Sequence, residues 1–303
     1  VHTYTHGHIG PTVLQSPLVL GHEFGGDIVQ VADDVSNVRP GDRVAVDPAI
    51  NCKRCELCLA GHPNLCDDLH FSGLWPDDGA LVEYMAHPAR LAYPVPESMD
   101  YGETVLLETL GIAIHATDLA RLHGGHDVAV LGCGPVGLLV IQMARLSGAT
   151  RIFATDRLGY RLDFAGQCGA TDALDIGEGD PADWVMEQTS GRGVDVVFEA
   201  AGAAESPAQA VEMTRRGGTV CLIGIPTDDR TEFRASSARR KGLTIKLVRR
   251  MKHTYPRAIA LTQRGLVDLR PLLTHRYPLD RSDQAFELVE EYRDGVVKAI
   301  IEP

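Results

Sequence analysis

From about residue 126 the chain alternates apolar runs with stretches of helical length: "VAVLG", "RIFAT", "DALD", "DVVFE", "GTVCLIG" and "LTIKLV". Short apolar runs separated by helical segments predict a doubly wound parallel α/β sheet, here of six strands. Residues 1 to about 107 follow another pattern. There Gly, Pro and short β-branched runs such as "GDIVQV" and "GDRVAV", punctuated by "RPGD", predict short strands joined by turns. After about residue 250 the pattern predicts one amphipathic helix over "DQAFELVEEYRDG" and a terminal strand at "KAIIEP". A chain of 303 residues that changes pattern in this way is expected to form two domains.

Composition narrows the partners. With a formal net charge of −12, the chain offers no basic stripe to displace counterions from a polyanion, so nucleic acid is not an expected partner. No apolar run reaches membrane-spanning length, and no membrane partner is expected. Three cysteines, Cys133, Cys168 and Cys221, are scattered among apolar or Gly-rich neighbours, as suits reduced thiols in a cytoplasmic protein. The other four sit in "NCKRCELCLAGHPNLC" at spacings Cys-x2-Cys-x2-Cys-x7-Cys. Cys52, Cys55, Cys58 and Cys66 can close a tetrahedron of thiolates around Zn²⁺, leaving no position for water or substrate, so this zinc is expected to be structural. Free thiols or two disulfides are the alternative.

The stretch "VAVLGCGPVGLLVIQMARLSGATRIFATD" places Gly132, Gly134 and Gly137 between a strand and a helix, with Asp156 closing the next strand. Gly132 permits the tight turn, Gly134 lets the backbone approach a pyrophosphate, and Gly137 permits close helix packing. Pro135, Val136, Arg161 and Ile225 complete the expected cofactor-binding set. The Asp156 carboxylate would repel a 2′-phosphate and accept hydrogen bonds from free ribose hydroxyls, which favours NAD over NADP. Arg157 and Arg161, either of which could neutralise a phosphate, keep NADP open.

Two further stretches carry candidate chemistry. "GHEFGG" sets His22 beside Glu23, and "LLETLGIAIHA" puts Glu108 in an apolar segment, where a carboxylate is costly to bury without a cation. Adjacent side chains on an extended segment diverge, so only an irregular turn could aim His22 and Glu23 at one ion. Singly, each residue reads as well as a cap or a salt bridge.

Together with the cysteine lobe, Gly132 to Gly137, Asp156 and "TIKLVRRMKHTYPRAI", these residues make the chain resemble the zinc-dependent medium-chain dehydrogenases, in their sorbitol (polyol) dehydrogenase branch. The resemblance implies a GroES-like mostly β catalytic domain over 1–109, a Rossmann NAD-binding domain over 110–249 and a return to the catalytic domain over 250–303. It implies a catalytic zinc held by His22 and the carboxylate of Glu23 or Glu108 with one cysteine, besides the structural zinc of the lobe. That cysteine belongs to a Cys-Gly-Ser/Thr-Asp-Val-His run, and this sequence opens at Val1-His2, so a preceding segment of about 40 residues is expected. His2 is implied as a proton relay near the cofactor ribose, and Arg250 as a polyol-recognising residue beside the nicotinamide. Thr3 stands where tyrosine is frequent in that branch, with Tyr4 as a substitute candidate, while His6 and His8 read as loop residues.

The implied activity is NAD-linked oxidation of a secondary alcohol in a sorbitol- or xylitol-like polyol to the ketose, by a homodimer or homotetramer. A threonine or 2,3-butanediol dehydrogenase is the alternative within the superfamily. A non-catalytic zinc-stabilised nucleotide-binding protein is the alternative outside it.

Overall fold

The computed structural model describes all 303 residues except the side chain of His2. It divides into two compact units, one made of Val1–Gly111 with Arg250–Pro303 and the other of Ile112–Arg249.

The second unit holds six strands: β1 (Asp127–Leu131), β2 (Arg151–Asp156), β3 (Asp172–Asp175), β4 (Val194–Glu199), β5 (Thr214–Leu222) and β6 (Thr244–Leu247). Their order is β3-β2-β1-β4-β5-β6, and every pair is parallel. This is the doubly wound sheet that the run spacing predicts. Parallel strands need crossovers, and the crossover helices cover the sheet, so β4 is buried at every residue. Leu131, Phe153, Val197 and Val220 form the core with Val185, Ala210 and Met213 from the helices Pro181–Gln188 and Ser206–Met213. The strand order reverses direction between β1 and β4, the point at which such sheets open a crevice beyond their carboxyl ends.

At the opposite ends of these strands one carboxylate gathers three elements. Asp195 lies at the start of β4, and its side chain accepts from Arg192 Nη2 at 2.8 Å, Arg215 Nε at 2.5 Å and the backbone N–H of Asp127 at 2.9 Å. The β4–β5 register is irregular here, between Val194 and Val196, and Arg215 lies within the bulged stretch of β5.

The first unit is built from short elements. Phe24–Asp27, Arg43–Val46 and Ala92–Pro94 form a three-stranded antiparallel sheet. Val38, Val44, Val46 and Ala92 pack beneath it with Phe24, Ile28, Val31 and Val35. The strand expected over "GDIVQV" starts earlier and ends at Asp27. Beyond it Ile28 instead closes a turn, accepting from Gly41 N–H at 2.8 Å while donating to Asp42 O at 2.9 Å. In the C-terminal part, Lys298–Glu302 forms the terminal strand and pairs in parallel with Leu273–Pro278. The expected amphipathic helix is Ser282–Glu290; it stops before "YRDG" because Tyr292 and Asp294 take left-handed backbone angles. A second helix, Tyr255–Gln263, is absent from the sequence reading, its start masked by a Tyr-Pro pair that helices accept in their first turn.

The helix Tyr101–Ala120 carries Glu108 and Thr109. Its start is locked reciprocally: Asp100 Oδ1 accepts the Glu103 N–H at 2.7 Å, and Glu103 Oε2 accepts the Asp100 N–H at 3.0 Å. Among the described residues no helix is long and apolar enough to cross a membrane.

The Asp195 knot gives a pH-dependent prediction. Burial alone would raise the Asp195 pKa, but the hydrogen bonds from Arg192, Arg215 and Asp127 outweigh it and hold the carboxyl well below the usual range. A depressed carboxylate pKa adds stability above the unfolded value near 3.9, and that stability is lost as pH falls below it. Asp195→Asn should therefore cost about 1–3 kcal/mol at pH 7, with a difference from the parent that shrinks toward pH 3. Urea unfolding across that range checks it; a difference independent of pH would refute the electrostatic account.

Candidate active site and metal centres

The dinucleotide crevice forms at the carboxyl end of β1. Gly132 has φ +89°, and a Cβ there would lie 2.8 Å from the Ala201 backbone. A Cβ on Gly137 would lie 1.9 Å from Gly132 O, so only glycine lets the helix Pro135–Leu146 begin this close to the strand. Gly134 differs: the nearest atom to a Cβ there is Arg161 Nη1 at 3.8 Å, so this side of the loop is open. No side chain caps the helix start, where Pro135 is followed by the N–H groups of Val136 and Gly137. An open glycine before an uncapped helix N-terminus fits a dinucleotide pyrophosphate.

Asp156 ends β2, is 8% exposed, and braces the loop. One oxygen accepts the Cys133 N–H at 2.7 Å and the other the Leu158 N–H at 3.0 Å, leaving lone pairs on both for ribose hydroxyls. Arg161 Nη1 lies 4.0 Å from this carboxylate. Ile225, after β5, is 49% exposed, and its backbone packs on Gly202. A residue absent from the sequence reading, Glu199 at the end of β4, fixes that side of the crevice. Its Oε1 accepts from Ala201 N–H at 2.8 Å, Gly202 N–H at 2.7 Å and Ser206 Oγ at 2.8 Å. An acid at the end of a buried strand, followed by "AAGAAES", was the available signal.

In the first unit Cys52, Cys55, Cys58 and Cys66 bring their sulfurs within 4.8 Å of one another. Tetrahedral zinc with Zn–S bonds of about 2.3 Å requires S···S spacings of about 3.8 Å. Cys55 and Cys66 sulfurs are 4.0 Å apart, and all four cysteines are free. Backbone N–H groups point at the sulfurs as thiolates require: Cys52 to Cys66, Cys55 to Cys52 and Cys58 to Cys55, at 3.3, 3.4 and 3.5 Å. Those from Arg54 and Cys55 draw the Cys52 pKa down to about 6, whereas burial and neighbouring sulfurs push Cys58 up to about 12. Four thiols at this spacing share too few protons or too much charge without a cation, and the lobe fits zinc.

His22 follows a ladder that joins 19–21 to 79–81, with Gly79 N–H to Val19 O, Ala80 N–H to Gly21 O and Leu81 N–H to Leu20 O. Its ring tilts on Phe71 at 5.3 Å. Burial first, then nearby Lys298 and Arg250, push its pKa down to about 4 against the pull of Glu23, so the imidazole is neutral and has a lone pair for a metal. Glu23 accepts the Thr109 hydroxyl at 2.8 Å and is ion-paired with Lys298. Burial would raise its pKa, but Lys298 and His22 dominate and hold it at about 2. Glu108 is 3% exposed; burial and the Glu23 charge push its pKa up to about 8, opposed by Arg250, whose Nη2 lies 3.6 Å away.

A neutral imidazole with two carboxylates suits a divalent cation in donor chemistry. Among the described residues, however, only the four cysteines gather as three or more ligands around one point. Glu23 is engaged by Lys298 and Thr109, and Glu108 by Arg250. Neither Lys298 nor Thr109 figured in the sequence reading, because both lie far from Glu23 in the chain.

Arg250 Nη2 also lies 3.4 Å from Asp47 Oδ1, and its guanidinium sits 4.1 Å from the Phe71 ring centroid. Its Nε and Nη1 are buried with no partner among the described residues. Tyr4 stacks on Phe286 at 4.6 Å. His2 falls in the helix His2–His6, but the relay role given to its side chain lies outside the described residues.

A GroES-like β unit with a thiolate metal lobe and a unit with a Rossmann crevice define a nicotinamide-dependent zinc dehydrogenase. The sequence matches two family models, "Alcohol dehydrogenase GroES-like domain" over residues 1–97 and "Zinc-binding dehydrogenase" over 135–264. It is 35% identical to a sorbitol dehydrogenase of Bacillus subtilis over 303 residues, 100% of this chain and 86% of that one. It is 38% identical to a probable D-xylulose reductase A of Aspergillus clavatus, covering 96% of this chain and 82% of that one. An L-threonine 3-dehydrogenase of Bacillus licheniformis is 34% identical, with 99% and 87% covered. A putative zinc-binding dehydrogenase from Sinorhizobium meliloti bound to NADP superposes with a TM-score of 0.91 at 31% identity, covering 100% of this chain and 87% of that one. The chain belongs to the zinc-binding dehydrogenase family with a GroES-like domain.

The closed thiolate shell predicts a metal needed for folding and not for hydride transfer. Cys55→Ser with Cys58→Ser should remove one zinc per chain and lower the melting temperature by several degrees, while the soluble fraction keeps its kcat. Zinc content, melting and turnover of that fraction check it. Loss of kcat with the melting temperature intact would sink a structural role.

Proposed function

We propose that the protein oxidises a secondary hydroxyl of a sorbitol- or xylitol-like polyol to the ketone, with NAD taking the hydride. The observation that carries this reading is Arg250: a buried guanidinium, fixed on one edge by Asp47 and Glu108, whose Nε and Nη1 have no partner among the described residues, donors that polyol hydroxyls would satisfy. The sorbitol dehydrogenase and D-xylulose reductase likenesses support the same class.

When bound, zinc supplies Lewis-acid stabilisation of the substrate oxygen and the nicotinamide supplies the hydride acceptor. The chain's own residues bind and orient. His22 would offer a nitrogen lone pair to the metal, and Glu23 or Glu108 a carboxylate oxygen. Arg250 directs hydroxyls of the polyol. In the second unit the open face at Gly134 and the N–H groups of Val136 and Gly137 take the pyrophosphate, and Asp156 accepts from the adenosine ribose. Oxidation breaks one C–H and one O–H bond; a bound nicotinamide would accept the hydride, and the proton would pass to solvent, a relay role proposed for His2 on the family resemblance. We assign the assembly to a homodimer or homotetramer on the family resemblance.

Two measurements test the reading. Among sorbitol, xylitol, L-threonine and 2,3-butanediol, a polyol should give a kcat/KM at least about tenfold above the others, equivalent to about 1.4 kcal/mol in transition-state stabilisation. Highest efficiency with L-threonine would assign the site to the amino-alcohol reading instead. Asp156→Ser should lower the NAD-to-NADP ratio of kcat/KM by at least about tenfold. Because the carboxylate also holds Cys133 and Leu158, the variant should bind both cofactors more weakly than the parent binds NAD. A parent enzyme that already prefers NADP would overturn the assignment of Asp156.

A further inference from the structure

The first unit contains a cavity of about 330 Å³ between the cysteine lobe and the start of the helix Tyr255–Gln263. Its lining brings together Lys53, Arg90 and His253, and the acid among the lining residues is Asp47. In a chain of net charge −12 this is an unusual local balance. The charge of Asp47 is offset in part by Arg250, whose Nη2 lies 3.4 Å from Asp47 Oδ1 and which does not line the cavity. Arg90 is held by donation from Nη2 to Asn51 O at 2.8 Å. Lys53 and His253 have no carboxylate partner among the described residues. One wall is aromatic: Tyr93 and Tyr255 both line the cavity, and their rings stack at 4.8 Å and 3°.

Two of the lining residues are also presented by unusual backbone. Lys53 and His253 are far apart in the chain, yet both line this cavity and both sit at left-handed angles, φ 61° and φ 52°. Lys rarely takes that conformation, which His tolerates better, and such residues occur at ligand sites as well as in turns. At Lys53 the angle belongs to the turn that aims the Cys55 N–H at the Cys52 sulfur at 3.4 Å, and the same turn presents the Lys53 side chain to the cavity.

We propose that this cavity is a binding site for a small oxyanion-bearing metabolite, its phosphate or carboxylate group held by Lys53, Arg90 and His253. The volume lies at the lower end for metabolite pockets and admits a compact anion with its carbon skeleton against the tyrosine wall. Arg90 offers a planar fork for the oxygens and Lys53 a point charge. Lys53 sits between the zinc-binding Cys52 and Cys55, and Cys58 also lines the cavity. A bound anion therefore ties the metal lobe to the segment that begins the C-terminal part of this unit.

Inorganic phosphate and malonate serve as the phosphate and carboxylate probes, against chloride at equal ionic strength. The zinc-loaded full chain is used with saturating NADH, so that the Gly132–Gly137 loop is already filled. Titration by calorimetry, with melting as a second readout, compares the parent with Lys53→Asn/His253→Asn. Asparagine tolerates positive φ, so this variant removes the side chains' positive charge and reach without forcing the backbone. Lys53→Arg in the His253 background serves as the charge-conserving rescue. One or both probes should bind the parent with a dissociation constant near 1 mM, bind the double variant at least about tenfold more weakly, and recover with Lys53→Arg. Equal binding to parent and double variant would place the anion elsewhere and overturn the proposal. So would the absence of binding to the parent at concentrations up to about 50 mM.

Discussion

A carboxylate withdrawn from water must find a cation or lose its charge, and that constraint shapes the first unit. Desolvating an ion costs several kcal/mol unless a partner at close range offsets it. Glu23 and Glu108 come from the first 111 residues, while their cations, Lys298 and Arg250, both come from the last 54 of the chain's 303. The C-terminal segment therefore has to rejoin the unit in which the chain began. Tyr255 reinforces the return, donating its hydroxyl to Val46 O at 2.7 Å while its ring stacks on Tyr93. The same pairing divides the two carboxylates by their surroundings: Lys298 and Thr109 keep Glu23 ionised, and Glu108, deeper and facing the Glu23 charge, has a raised pKa.

What the sequence disclosed followed the range of the interactions involved. The six-stranded sheet was legible because each strand announces itself by a local apolar run, and the crossover rules then leave one architecture. The cysteine lobe and the glycine loop were legible for the same reason, since each packs its chemistry into a short stretch. In the N-terminal part of the first unit, strands of two to four residues are set by distant pairing, and the Phe24–Asp27 strand slid from its expected place because Ile28 was claimed by a turn with Gly41 and Asp42. The helix at Tyr255 was missed because a proline near its start reads as an interruption. Lys298 and Thr109, separated from Glu23 by 275 and 86 residues, left no local trace.

Metal and cofactor sites in this chain also differ in how far protein contacts alone shape them. Around the cysteine lobe, N–H groups are already turned toward the sulfurs, so the backbone is arranged for thiolates before any ion is considered. The glycine loop is similar: Gly132 and Gly137 are fixed by close backbone contacts, and the open face at Gly134 is what those contacts leave. At His22, by contrast, the neighbouring carboxylates satisfy themselves with Lys298 and Arg250. Were a metal held at His22 as proposed, those cations would compete with it for the same oxygens, and the strength of two ion pairs would enter its affinity.

Asp156 illustrates why cofactor choice resists reading from residue type. Both of its oxygens hold the turn that the dinucleotide must meet, through Cys133 and Leu158, and the same oxygens would meet the ribose. A structural neighbour at 31% identity carries NADP, so this fold accommodates the extra phosphate. The carboxylate's charge opposes that phosphate, while Arg161 at 4.0 Å offsets part of the opposition. Discrimination between the cofactors thus depends on the difference between two nearby charges within one braced loop. Any change at residue 156 alters the shape of the loop and its selectivity together.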